Sequence, residues 1–77
     1  MDTTPKKRQR ALIICKDTQV RQNVTLLLSG YGYQTDQESK RKQGIKSFLT
    51  YRQPIVVIDA ELLPRFPYRL LQLHNLL

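Results

Sequence analysis

Apolar residues arrive along this chain in two kinds of pattern. Unbroken runs stand at Ala11–Ile14, continued by Cys15, and at Ile55–Ile58, while between them apolar positions recur at helical spacing. A short unbroken run marks a strand covered on both faces, as strands are in a parallel sheet. Val20, Val24, Leu27 and Leu28 share one side of a 3.6-residue period, opposed by Arg21, Gln22 and Thr25, and predict an amphipathic helix. Asp17 or Thr18 is placed to cap its start by accepting a backbone N–H, and Gly30 to end it in the left-handed conformation.

The segment "YGYQTD" predicts a short edge strand with Tyr33 and Thr35 on one face. A second helix is expected from Ser39, with Ser39 as its cap and Ile45, Phe48 and Leu49 as its apolar stripe. Gly44 weakens that helix by about 1 kcal/mol relative to alanine, in exchange for room to pack closely on a sheet. Pro54 marks the boundary, because the residue before proline avoids the helical region. After Pro64 and Pro67, the positions of Leu70, Leu73 or His74, and Leu77 predict a last helix.

The predicted order is therefore β-α-β-α-β-α over residues 10–77, preceded by a flexible basic leader at residues 1–9. Alternation at this spacing implies an α/β fold of parallel strands joined by crossover helices. In such sheets the functional crevice lies beyond the carboxyl ends of the strands. Lys16, Asp17 and Asp59 all fall there and are expected to meet in one shallow pocket.

Charge adds a second picture. Thirteen Lys and Arg against six Asp and Glu leave a net charge of +7, concentrated at Lys6, Lys7, Arg8 and Arg10 and at Lys40, Arg41, Lys42 and Lys46. Clusters of this kind bind phosphate backbones through counterion release, so nucleic acid is a candidate partner. No aromatic stacking pattern or base-reading motif accompanies them, and a solvated tail and helix face account for them without a ligand. The single Cys15 forms no internal disulfide, which fits a reducing compartment. Its expected role is a small packed hydrophobe, with a redox sensor stabilised by Lys16 as the alternative.

No apolar stretch approaches the roughly 18 residues of a membrane span, and the N-terminus carries no secretory signal. A cytoplasmic chain is expected. No Ser-His-acid set, Gly-rich phosphate loop or paired-Cys motif is present, and His74 has no second metal ligand in range, so no enzyme is expected.

The segments "ALIICKDTQVRQNVTLLLSGYGYQT", "FLTYRQP" and "IVVIDAELLP" together resemble the receiver domain of bacterial response regulators, over residues 10 to about 77. The resemblance implies a flavodoxin-like sheet of strand order 2-1-3-4-5, whose last two strand–helix units lie beyond this chain. It places Asp59 at the family's phosphoacceptor position. The family sets two adjacent acids after its first strand, which hold magnesium with the phosphoacceptor; here Cys15 and Lys16 stand in their place and only Asp17 follows. Thiol and ammonium do not substitute for carboxylates around a hard cation, so no magnesium, other metal or cofactor is expected. Lys16 is expected to offset Asp59 in a salt bridge, and Arg65 and Tyr68 to make the following loop bulkier than in the family.

The function the resemblance implies is a degenerate receiver-like regulatory domain in bacterial signal transduction or transcription control. It would act on a protein partner or attached output domain, independently of phosphorylation. A weakly phosphorylatable receiver with Asp59 as acceptor, and a basic nucleic-acid-binding accessory module, are the alternatives. Without the later strands, Ile55, Val56, Val57 and Ile58 form an open apolar edge. Burying each such side chain is worth about 1.5–3 kcal/mol, so a two-fold homodimer is expected.

Overall fold

The structure, a computed structural model, describes residues 9–63. The expected last helix, with Leu70, Leu73, His74 and Leu77, lies outside the described residues, as do Arg65, Tyr68 and the leader cations Lys6, Lys7 and Arg8. Strand β1 (Arg10–Ile14) leads through helix α1 (Thr18–Gly30) to β2 (Gln34–Glu38), then through α2 (Arg41–Tyr51) to β3 (Ile55–Ile58). All pairing is parallel, in the order β2-β1-β3. The fold is α/β, and its strand order matches the first three strands of a flavodoxin-like sheet.

The unbroken apolar run of β1 has its expected cause. As the central strand it is covered on both faces, and Ala11, Leu12, Ile13 and Ile14 are all fully buried. Successive side chains point to opposite faces. Leu12 and Ile14 pack with Phe48 of α2 in a core joined by Ile45, Val56, Ile58 and Leu62. Ala11 and Ile13 therefore face α1.

Helix α1 starts where Asp17 Oδ1 accepts the Val20 N–H at 3.0 Å, and Asp17 is its N-cap. Its end corrects the role expected of Gly30, which remains helical. Gly32 takes the left-handed conformation at φ +93, two residues on. Gly32 N–H donates to Ser29 O at 3.0 Å and Tyr33 N–H to Leu28 O at 3.1 Å, the paired bonds of a Schellman motif. The apolar face of α1 is less covered than its periodicity suggests. No residue of the helix is buried, and Val20 and Leu27 are 49% and 60% exposed.

Helix α2 departs from expectation at both its cap and its stripe. Ser39 is not the cap; Lys40 is, in extended conformation and with no side-chain hydrogen bond. Strand β2 runs on to Glu38, so Ser39 is spent in turning the chain. Phe48 is fully buried, but Leu49 is 46% exposed, and the small residues Gly44 and Ser47 face inward instead. Close approach explains this: a Cβ on Gly44 would lie 2.5 Å from Ile14 Cδ1.

The two sheet edges differ in chemistry. The edge strand β2 reads QTDQE, polar in the way that protects an edge from foreign strands. The edge strand β3 reads IVVI, and each of its residues is half-buried. Its neighbour on one side is β1; on the other, no described strand pairs with it.

Candidate functional site

The carboxyl ends of β1 and β3 lie side by side. Asp59 N–H donates to Ile14 O at 2.8 Å, and Cys15 N–H donates to Glu38 O at 3.0 Å, so the ladder extends one residue past each strand. This register brings Cys15 to Asp59: the thiol Sγ lies 3.8 Å from Asp59 Oδ2, and 3.6 Å from Asp17 O. Cys15 is buried at 6% exposure, as a packed small hydrophobe would be, and its single weak S–H donor faces two acceptors, Asp17 O and, slightly farther, the acid.

The other Asp59 oxygen organises its own loop. Oδ1 accepts the Glu61 N–H at 3.1 Å, and Asp59 O accepts the Leu62 N–H at 2.9 Å. A carboxylate bonding to a backbone N–H two residues on shapes a turn in this way. The Asp59 carboxylate is thus held by a backbone amide, with the Cys15 thiol against its other oxygen.

Lys16, Asp17 and Asp59 line one open pocket of about 490 Å3, joined by Glu61. The pocket expected at the strand ends is present. The salt bridge between Lys16 and Asp59 is not: among the described residues, the ion pair found joins Arg10 and Asp36, at the opposite end of the sheet. Lys16 is exposed and lines both this pocket and a second cleft.

The donor set around Asp59 does not fit the magnesium ion that the family resemblance implies. Of the positions that would supply adjacent carboxylates, one holds a buried thiol and the other an ammonium. The remaining acid, Asp17, spends Oδ1 on capping α1. Among the described residues, no group of three His, Cys, Asp or Glu is placed to hold a metal ion. Octahedral coordination by hard oxygen ligands has no framework here.

The basic residues separate into different places. Arg10 is engaged: its guanidinium donates to both Asp36 oxygens, at 2.9 and 2.7 Å, and stacks 3.8 Å over the Tyr51 ring. The hydrogen bond from Arg10 holds the Asp36 carboxyl below its ordinary value; burial opposes that shift, and a hydrogen bond from Gln53 reinforces it. Gln53, fully buried, donates Nε2 to Asp36 at 3.0 Å and to Ser47 Oγ at 2.9 Å, while its Oε1 has no partner among the described residues. Lys40, Arg41 and Lys42 lie at the other end, where they meet Lys16 around a cleft of about 660 Å3.

An apolar groove completes the surface. Ile13, Cys15, Val20, Val24, Val57 and Asp59 line a hollow of about 260 Å3 between α1 and β3. It continues from the open β3 edge to the acid at the strand end. The sequence pattern picked out Asp59 and the β3 run separately; their adjacency to the uncovered face of α1 is a product of the tertiary fold.

Among the described residues no helix is long and apolar enough to cross a membrane. Comparison of the chain with models of known protein families, with curated proteins and with solved structures finds no match.

Proposed function

We propose that this chain is a receiver-like regulatory domain that works through protein contacts, without phosphorylation at Asp59. It would serve bacterial signal transduction or transcription control in the cytoplasm, as a non-enzymatic module beside an output domain or partner. The observation that carries this reading is the Cys15–Asp59 contact. A thiol 3.8 Å from the carboxylate takes the place from which a receiver's acid would help to hold a metal ion. Phosphoryl transfer depends on neutralising charge on the transferring group, and a weak neutral donor does not provide it.

The contact surface in this reading is the β3 edge with the groove beside it. Of the two edges, β2 is polar and so protected, while β3 is apolar and has no strand on its outer side among the described residues. An unpaired apolar strand recruits another chain by extending the ladder, with side-chain pockets giving specificity. A second copy of this chain is the simplest partner. Two-fold symmetry would bring β3 against β3 in antiparallel pairing.

A second reading, a weakly working phosphoacceptor, is favoured by the position of Asp59, half-buried at the wall of an open pocket with Lys16 nearby. One experiment separates the two: incubation with magnesium and acetyl phosphate, followed by intact-mass measurement. Unmodified protein is the expected result. A stoichiometric phosphoryl adduct that disappears in Asp59→Asn overturns the phosphorylation-independent reading and installs the second.

A further inference from the structure

The cleft beside α2 is built from two distant parts of the chain. Lys16 reaches it from the end of β1, while Ser39, Lys40, Arg41 and Lys42 reach it from the turn between β2 and α2. Gln43 of α2 and Leu62, from the loop after β3, complete the described lining, and Arg41 Nε donates to Leu62 O at 3.0 Å, which ties that loop to the helix. Four cationic side chains thus line one hollow, and among the described residues none that lines it is acidic.

Gathering like charges around a concave surface raises a positive potential that the chain leaves unneutralised at this point. Asp17, Asp59 and Glu61 line the neighbouring pocket, which shares Lys16 with the cleft, and Glu38, the residue before Ser39, is not among the described residues that line the cleft. The start of α2 adds to the same field, with no acid in its first turn and no side chain capping it.

We propose that this cleft binds a small ligand bearing a di- or triphosphate group, free or carried by a nucleoside. The volume of about 660 Å3 lies within the range of small-molecule sites, about 300–1,000 Å3, and is roomy for a single phosphate. Four cations match the charge of a phosphate chain. Ser39 supplies a hydroxyl for orientation, and Leu62 supplies an apolar surface. A nucleic-acid strand fits less well, because Arg10 is committed to Asp36 at the opposite end of the sheet and does not extend the cleft into a track.

The test is calorimetric titration of the full chain with ATP, tripolyphosphate and a single-stranded oligonucleotide, at low and moderate salt. The expected result is triphosphate binding with a dissociation constant below about 1 mM, weakened at least about tenfold by Lys40→Ala with Lys42→Ala. Lys46→Ala, which removes an exposed charge of α2 outside the cleft, is expected to leave binding unchanged. Tighter binding of ATP than of tripolyphosphate identifies a nucleoside ligand, and equal binding a free phosphate chain; either supports the cleft. No triphosphate binding at 1 mM, equal losses in Lys46→Ala and the cleft variant, or a preference for the oligonucleotide overturns it. Circular dichroism of each variant separates loss of binding from loss of fold. The outcome is independent of whether Asp59 accepts a phosphoryl group.

Discussion

Gly44 of α2 lies so close to Ile14 of β1 that a Cβ placed on the glycine would fall 2.5 Å from Ile14 Cδ1 and 2.7 Å from its Cγ1. The contact sets the distance between helix and sheet, and with it the seating of Phe48. Alanine is favoured over glycine in a helix by about 1 kcal/mol, whereas forcing a methyl into a packed core costs about 1–3 kcal/mol. Gly44→Ala is therefore expected to lower stability in urea denaturation despite its helix propensity. Ile14→Val, costing about 0.5–1.5 kcal/mol on its own, should cost less in the Gly44→Ala background. Strict additivity of the two changes would contradict a direct contact.

The Arg10–Asp36 pair predicts an acid-sensitive sheet. Asp36 is held below its ordinary carboxyl value of 3.8, first by the hydrogen bond from Arg10. A depressed folded-state value contributes stability that is present above the unfolded value and lost as pH falls through the folded one. Wild-type stability should thus decline below about pH 4 more steeply than that of Asp36→Asn, which is less stable at neutral pH. Parallel pH profiles for the two proteins would show that the pair does not report on folding.

Cys15 is expected to react slowly. Its thiol is buried against Asp17 O and Asp59, and buried structural cysteines are inert in the folded state. Labelling with an aromatic disulfide reagent should be slower in the native protein by at least about tenfold than in urea. A native rate equal to that of the unfolded chain would favour a redox-sensing thiol.

The β3 edge is expected to make the chain a dimer at concentrations of about tens of micromolar, as measured by sedimentation equilibrium. Val57→Lys places a charge in the middle of the apolar edge and should shift the protein to monomer, with its circular dichroism unchanged. A wild-type protein that sediments as a monomer in this range rules out self-association through β3.

What was legible in the sequence was whatever local pattern determines. The β1 run announced a strand covered on both faces, and Asp17 announced a cap. Choices between near-equivalent neighbours were less legible. Gly30 and Gly32 both suit a helix end, and the Schellman bonds of Gly32 and Tyr33 decided for the second. Ser39 is the better capping residue, but the register of β2 through Glu38 leaves the cap to Lys40. Ser47 and Gln53 gave no signal of burial, because their bonds to each other and to Asp36 cross between elements. The cleft was half visible: Lys40, Arg41 and Lys42 stand together in sequence, whereas Lys16 joins them only through parallel pairing of β1 and β2.

The position of β1 also shapes how the chain comes into being. The central strand leaves the ribosome before either of its described neighbours, and each neighbour pairs with it only after an intervening helix has been made. β2 closes onto it once residue 38 is available, and β3 once residue 58 is. Every ladder in this sheet is therefore a closure across a crossover, and loop-closure entropy must be met before pairing returns any stability. During synthesis β1 waits for its second neighbour until β3 has been made, so the nascent chain is exposed to aggregation or capture through the segment that later becomes its best-protected core.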